Sequence, residues 1–201
     1  MSSVKVKICG LRRTEDIDFV NEFKPDFAGF IYVPGRIRNV EPASGKKLKE
    51  LLDPKIKAVG VFYNEDREKI AEYYDRGLFD MIQLHGQEKP DDVSWLKENT
   101  GAEVIKAVSV KNREDIEYWE NSDADYLLLD NGNGGTGKTF DWSLIDDIKK
   151  PYFLAGGLNE GNISDALKLA PYGVDISGGV EKDGFKDREL IKNIIEIVRR
   201  Q

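Results

Sequence analysis

A lysine and a cysteine near the start of the chain are the first residues that could do chemistry. Residues 4–9 alternate in type, so a strand here would turn its aliphatic side chains to one side and Lys7 and Cys9 to the other. A thiol acts as a base only as a thiolate, which a nearby ammonium group stabilises. Cys9 is therefore a candidate base with Lys7 beside it; a small buried hydrophobe is the equally open alternative for a lone cysteine.

A carboxylate ends a second apolar run. Tyr126 and three leucines lead directly into Asp130, which shares a strand face with Leu128. A carboxyl group whose pKa is raised by burial can serve as a general acid. The alternatives are a cap for the following loop or a partner for a buried lysine.

Two Gly-Gly pairs follow two later apolar runs, Gly156-Gly157 and Gly178-Gly179, the second directly after Ser177. Glycine lets backbone N–H groups approach an anion closely, and a serine hydroxyl adds another donor. Two such pairs at the ends of successive strands favour a phosphate site over ordinary turns.

A rival motif occupies residues 132–139, whose Gly-Asn-Gly-Gly-Thr-Gly-Lys-Thr run matches the nucleotide-binding pattern G-x-x-x-x-G-K-[ST]. In that motif a helix begins at the lysine and threonine. Here Phe140 to Trp142 resemble the approach to a later helix, with Asp141 or Ser143 as its cap. The context therefore argues against nucleotide hydrolysis.

Three further side chains complete the candidate set. Arg36 and Arg38 lie in a Pro/Gly/Arg loop, where a planar guanidinium group could pair with a substrate carboxylate. His85, the only histidine, ends another apolar run. One histidine without clustered thiols or carboxylates does not make a metal site, so no metal is expected.

All these residues lie at or just after the ends of short β-like runs that alternate with amphipathic helical stretches. The predicted strands are 4–9, 27–32, 58–62, 80–84, 103–108, 126–129, 152–155 and 174–177. The predicted helices are 14–23, 43–52, 65–76, 91–98, 113–120, 143–148, 161–169 and 187–199.

Eight strand–helix units predict parallel pairing and favour a closed barrel over an open, doubly wound sheet. We therefore predict an α/β fold, a single (β/α)8 TIM barrel, with residues 1–201 as one domain. Active sites of such barrels lie at the carboxyl ends of the strands.

Composition and charge limit the kinds of molecule that this chain is expected to bind. A net charge of −7, from 37 acidic and 30 basic side chains, argues against nucleic-acid binding but not against one small anionic ligand. No apolar run approaches the roughly 20 residues that span a bilayer, and lysines interrupt the N-terminal segment where a signal peptide would be apolar. We expect no membrane partner. The single cysteine excludes an intrachain disulfide and indicates a reducing, cytoplasmic setting.

Taken together, the motifs resemble one family, phosphoribosylanthranilate isomerase of tryptophan biosynthesis. The segments that carry the resemblance are 7–10, 29–30, 59–62, 83–86, 127–130, 134–142, 154–159 and 177–181. They extend over nearly the whole chain. The glycine-rich run of residues 134–139 is itself similar to this family's loop after the sixth strand, which accounts for the rival nucleotide-binding match.

The resemblance implies an Amadori rearrangement of N-(5-phosphoribosyl)anthranilate, a small phosphorylated anion, without metal or organic cofactor. In the family's pattern Asp130 is the general acid that opens the ribose ring, and Cys9 is the general base at C2. Arg38 matches the arginine for the anthranilate carboxylate, and Ser177 lies at the phosphate end. The other substrate-binding candidates are Lys7, His85, Gly156, Gly157, Gly178 and Gly179.

Some alternatives stay open. Many family members have a second serine where this chain has Gly178, and Arg36 could replace Arg38. A related phosphosugar barrel isomerase or synthase, or a barrel that binds a phosphorylated ligand without catalysis, would share the same features. An Asp pair on strands one and five would favour a related isomerase, but strand one ends in Cys9. The sequence fits either a monomer or a homodimer.

Overall fold

Eight parallel strands close into a barrel in the order of the chain, which confirms the predicted TIM-barrel fold. In the computed structural model, residues 4–132, 139–145 and 147–200 are described. The barrel strands are β1 (Lys5–Cys9), β2 (Phe27–Ile31), β3 (Lys57–Phe62), β4 (Met81–Leu84), β5 (Glu103–Ser109), β6 (Tyr126–Asp130), β7 (Tyr152–Leu154) and β8 (Gly173–Ile176). Strand β1 closes the ring on β8, with Lys7 paired to Asp175 in the register.

Helices connect most of the strands and cover the outside of the barrel. They are α1 (Thr14–Phe23), α2 (Pro42–Leu51), α3 (Arg67–Asp75), α4 (Pro90–Thr100), α5 (Arg113–Glu120), α6 (Ile163–Leu167) and α7 (Arg188–Arg199). Local chemistry sets their ends: the Asp187 side chain accepts the N–H of Leu190 at the start of α7, and Gly101 adopts a left-handed conformation at the end of α4. The described part of the chain contains no helix long and apolar enough to cross a membrane.

Strand alternation divides the core into two layers. Side chains turned inward form a cluster inside the barrel, which includes Cys9, Val61, Met81, Leu128 and Phe153. Side chains turned outward pack beneath the helices in a larger cluster. The inward face of β1 therefore carries Cys9 and that of β6 carries Leu128, as the alternation in the sequence predicts.

Two connections differ from the prediction. The helix expected over residues 143–148 is a single 3₁₀ turn, Trp142–Leu144, which begins where Asp141 accepts the N–H of Ser143. The segment before α7 contains an antiparallel hairpin, β9 (Glu181–Lys182) and β10 (Phe185–Lys186), that sequence reasoning missed. At its turn Asp183 and Gly184 both have positive φ, 53° and 78°. Asp-Gly is a common pair in such two-residue turns, and was the available signal.

Candidate active site

Cys9 is the last residue of β1, and its side chain lies inside the barrel with 5% exposure. The thiol has room because residue 29, its neighbour on β2, is glycine. A Cβ at Gly29 would lie 2.8 Å from the Cys9 Sγ, closer than real contacts allow. The thiol is thus packed closely against β2 at the carboxyl end of β1.

Charged groups around Cys9 oppose the effect of its burial. Lys7 is fully buried, and its Nζ donates a 2.8 Å hydrogen bond to Asp175 Oδ1 across the β1–β8 seam. Burial would lower the pKa of Lys7, but attraction to Asp175 and Cys9 outweighs it and the pKa is raised. Burial raises the pKa of the Cys9 thiol, while the positive charges of Lys7 and Lys186 offset part of that rise. Lys7 therefore lies where the sequence predicted it, beside the candidate base.

Asp130 ends β6 with 8% exposure. One carboxylate oxygen, Oδ1, accepts the N–H of Asn131 at 2.6 Å, and the other lies 3.5 Å from His85 Nε2. His85 Nδ1 lies in turn 2.9 Å from the side-chain amide of Gln83. A Cβ at Gly156 would lie 2.6 Å from Asp130 Oδ1, so this glycine makes room for the carboxyl group. The structure thus brings His85 to the candidate acid.

Cys9 and Asp130 lie on different sides of the barrel mouth. Their strands, β1 and β6, are separated around the ring by β7 and β8. Each residue is the last of its strand, at the carboxyl end, and its side chain points into the barrel. A ligand at the mouth can therefore have one group on each side, which is the arrangement that acid–base catalysis at two different atoms requires.

Arg38 contacts residues at the ends of β1 and β8, whereas Arg36 contacts Tyr63 after β3. The Arg38 side chain crosses Gly10, where a Cβ would lie 2.6 Å from Arg38 Cδ and 3.3 Å from Ser177 Oγ. Its guanidinium group donates from Nε and Nη2 to the two carboxylate oxygens of Glu181, at 2.7 and 2.5 Å. Arg36 is exposed and stacks 5.7 Å from the ring centre of Tyr63. Of the two arginines that the sequence left open, the geometry favours Arg38.

The loops after β7 and β8 meet at the mouth. Gly156 and Gly157 both have positive φ, 84° and 71°, and Gly179 packs so closely on Leu158 that a Cβ would lie 1.8 Å from its carbonyl oxygen. Within the described ranges, no acceptor receives the backbone N–H groups of Gly156, Gly157, Gly178 or Gly179. The structure therefore brings the two Gly-Gly pairs together, with Ser177 beside them.

Three charged residues of the site were missed from the sequence: Asp175, Glu181 and Lys186. Asp175 shares an inward face with Ser177, and this alternation was the available signal. Glu181 and Lys186 belong to the β9–β10 hairpin, and Lys186 donates to the Ser177 carbonyl at 3.0 Å and to Glu181 Oε1 at 2.7 Å.

The remaining sequence predictions concern the nucleotide-binding-like run and metal binding. Most of the nucleotide-binding-like run, residues 133–138, lies outside the described residues. Across the described ranges, no group of three or more His, Cys, Asp or Glu residues is arranged to hold a metal ion.

The fold and site define a class: a β/α-barrel protein with a thiol, a carboxyl group and free backbone donors at its catalytic end. Residues 6–197 match the family described as N-(5'-phosphoribosyl)anthranilate (PRA) isomerase. A protein of this name from Acetivibrio thermocellus is 47% identical, over 96% of this chain and 95% of its own length. This chain therefore belongs to the phosphoribosylanthranilate isomerase family.

Solved structures agree with the sequence relatives. One is a phosphoribosylanthranilate isomerase in complex with reduced 1-(o-carboxyphenylamino)-1-deoxyribulose 5-phosphate, at 36% identity and a TM-score of 0.87 over 98% of this chain and 100% of that one. Another shows monomers generated from the dimeric isomerase of Thermotoga maritima, with the same identity, coverage and TM-score.

Proposed function

We propose that this chain converts N-(5-phosphoribosyl)anthranilate to 1-(2-carboxyphenylamino)-1-deoxyribulose 5-phosphate, a step of tryptophan biosynthesis. The observation that carries the proposal is the pair formed by Cys9 and Asp130 at the carboxyl ends of β1 and β6, in a chain of this family. The reduced product bound to a solved relative supports a small phosphorylated ligand here.

Asp130 acts first, as the general acid. Its proton goes to the ribose ring oxygen, and the ring C–O bond breaks to leave an open-chain Schiff base. The 8% exposure of Asp130 keeps the proton donor largely out of bulk water. His85, 3.5 Å away, and Gln83 behind it hold the carboxyl group toward the mouth.

Cys9 acts second, as the general base. Its thiolate removes the proton from C2 of the sugar, and the electron pair moves toward the iminium nitrogen to give an enolamine. The enolamine then gains a proton at C1 and loses one from the C2 hydroxyl, which gives the ketone without a net change in atoms or electrons. The iminium makes the C2 proton acidic, so a base of modest strength suffices at neutral pH.

The two anionic ends of the substrate have separate binding groups. Arg38 would take the anthranilate carboxylate through its guanidinium group. The free N–H groups of the two Gly-Gly pairs, together with Ser177, would hold the phosphate. Lys7 is fully buried beside Cys9. Its role is therefore to lower the Cys9 pKa through its charge, and not to contact the substrate directly.

The cell location and assembly follow from related arguments. A catalytic thiol must stay reduced, which supports the cytoplasm. The dimeric state of the Thermotoga maritima relative supports the homodimer among the two assemblies that fit the sequence.

The test is turnover by the purified chain. We expect loss of anthranilate-type fluorescence when freshly made phosphoribosylanthranilate is added, at the same rate with and without a chelator. Binding of the reduced product without turnover would favour the non-catalytic barrel. Turnover of another phosphosugar in its place would favour a related barrel isomerase.

A further inference from the structure

A largely buried cluster of three charges lies beside the site, and two of its members, Glu181 and Lys186, have no part in the proton transfers above. It consists of Arg38, Glu181 and Lys186, whose side chains are 25%, 9% and 1% exposed. Glu181 and Lys186 come from the β9–β10 hairpin, and Arg38 comes from the loop after β2, 143 residues earlier than Glu181. The cluster therefore joins two segments that border the mouth.

Glu181 binds only one edge of the Arg38 guanidinium group. The hydrogen bonds run from Nε and Nη2, while Nη1 donates to no residue in the described ranges. A guanidinium group can bind carboxylates along two edges, and the edge formed by Nη1 and Nη2 is the one that remains. Arg38 cannot easily turn away, because its side chain rests against Gly10 and Glu181 fixes the other edge.

Lys186 holds Glu181 and reaches the phosphate end. Its ammonium group donates to Glu181 Oε1 at 2.7 Å and to the Ser177 carbonyl at 3.0 Å, with Ser177 Oγ at 3.5 Å. Burial favours the neutral form of Glu181, but Arg38 and Lys186 outweigh it, so the pKa of Glu181 is lowered and the carboxylate is ionised. Burial lowers the pKa of Lys186, and attraction to Glu181 opposes that lowering. The cluster thus places one carboxylate between two basic side chains.

Arg12 connects the same two segments independently. Its guanidinium group donates to the backbone oxygen of Ile37, next to Arg38, and to that of Gly184 at the hairpin turn, at 2.5 and 3.0 Å. The hairpin and the Arg38 loop are therefore tied at two points and hold a common position.

We propose that Glu181 and Lys186 are positioning residues that aim the free edge of Arg38 at the substrate carboxylate while holding Ser177 for the phosphate. The inference rests on the proposed function. Neither residue reaches the reacting carbon or the ring oxygen in this scheme. Glu181 acts on binding through Arg38, whereas Lys186 in addition counteracts the rise of the Cys9 pKa.

A double-mutant cycle on Glu181 and Arg38 tests the proposal. We expect Glu181→Gln to raise KM by about 10- to 100-fold, the loss that one charged hydrogen-bond pair produces, while kcat changes less than about threefold. In an Arg38→Ala background, the same Glu181→Gln change is expected to leave KM unaltered, because Glu181 acts through Arg38. Lys182→Met, an exposed change on the same hairpin, is the matched control and leaves both constants at wild type.

A second variant and a binding measurement distinguish a loss of folding from a loss of function. The double variant Glu181→Gln/Lys186→Met removes both buried charges together, so it keeps the fold if Glu181→Gln alone does not. We expect the same rise in KM at a pH above the Cys9 pKa, and a lower kcat at neutral pH because Lys186 no longer counteracts the rise of that pKa. If the wild type shows no turnover at all, the proposed function fails. The double-mutant cycle is then carried out by measuring the Kd of each variant for the reduced product. The positioning role would be overturned if Glu181→Gln changed KM or Kd equally in the wild-type and Arg38→Ala backgrounds. It would also be overturned if Glu181→Gln had no effect in either background.

Discussion

At the residue scale, the reactivity of Cys9 depends on opposing electrostatic effects. Its burial raises the thiol pKa, and the ammonium groups of Lys7 and Lys186 counteract that rise. Asp175 favours the neutral thiol, yet it also holds Lys7 in place through a 2.8 Å hydrogen bond. The packing that buries the proposed base therefore also makes its pKa depend on the neighbouring buried lysines.

This balance predicts a shift in the pH profile of Lys7→Met. In the proposed reaction the Cys9 thiolate is the base, so kcat/KM is expected to rise with pH through the Cys9 pKa. Removal of Lys7 takes away a charge that lowers this pKa, so the rising limb moves to higher pH. The measurement is kcat/KM across the alkaline range.

The control for Lys7→Met is Lys5→Met. Lys5 is on the same strand, but it pairs with Asp26, and Cys9 is not among the groups that shift its pKa. We expect its profile to match wild type. A rising limb that stays in place in Lys7→Met would remove Lys7 from its role beside the base.

Residue types and alternation predicted Lys7, Cys9 and Asp130 as inward-facing groups because each depends only on its own strand. The partners Asp175 and Glu181 did not emerge this way. Lys7 and Asp175 are 168 residues apart, and Arg38 and Glu181 are 143 apart. Spacing along the chain carries no information on such contacts until the barrel register is known.

At the element scale, another buried ion pair positions the loop after β4. Lys106 Nζ donates to Glu88 Oε2 and to the backbone oxygen of Gly86, both at 2.8 Å. Glu88 in turn accepts the N–H groups of Asn64 and Gly86. These contacts fix the residue next to His85, and so the approach of His85 to the candidate acid.

Lys106→Met is therefore expected to destabilise the fold by about 3–5 kcal/mol, the usual effect of leaving one buried charge without its partner. The free energy of unfolding from urea titration is the measurement. Lys168→Met is the comparison, because its pair with Asp165 is exposed, at 74% and 63%, and is expected to change stability by about 0.5 kcal/mol or less. Equal losses in the two variants would contradict the assigned role of the Lys106–Glu88 pair.

Elements with a clear capping residue were easier to predict than strands of two residues. The helix over residues 113–120 has the predicted bounds because Asn112 caps it by accepting the N–H of Asp115 and its apolar spacing is clear. Strands of two residues, as in the β9–β10 hairpin, show no periodicity. Only the Asp-Gly turn between them marked the hairpin in the sequence.

At the scale of the whole molecule, the barrel is what makes one site from distant segments. Eight strand–helix units predicted closure, and closure places the carboxyl ends of β1, β6, β7 and β8 around one mouth. The sequence could predict which residues lie at those ends. It could not predict which face each other, because that depends on the register at the β1–β8 seam, where Lys7 meets Asp175.

The central claim is that Cys9 and Asp130 share the reaction as base and acid, and kcat of the two single variants tests it most directly. Cys9→Ala and Asp130→Asn are each expected to lower kcat by about 10²- to 10⁴-fold, the contribution of a positioned general acid or base, with thermal unfolding unchanged within a few degrees. Asp123→Asn, a carboxylate away from the mouth, should keep wild-type kcat. Near-wild-type kcat in a folded Cys9→Ala or Asp130→Asn variant would contradict the account.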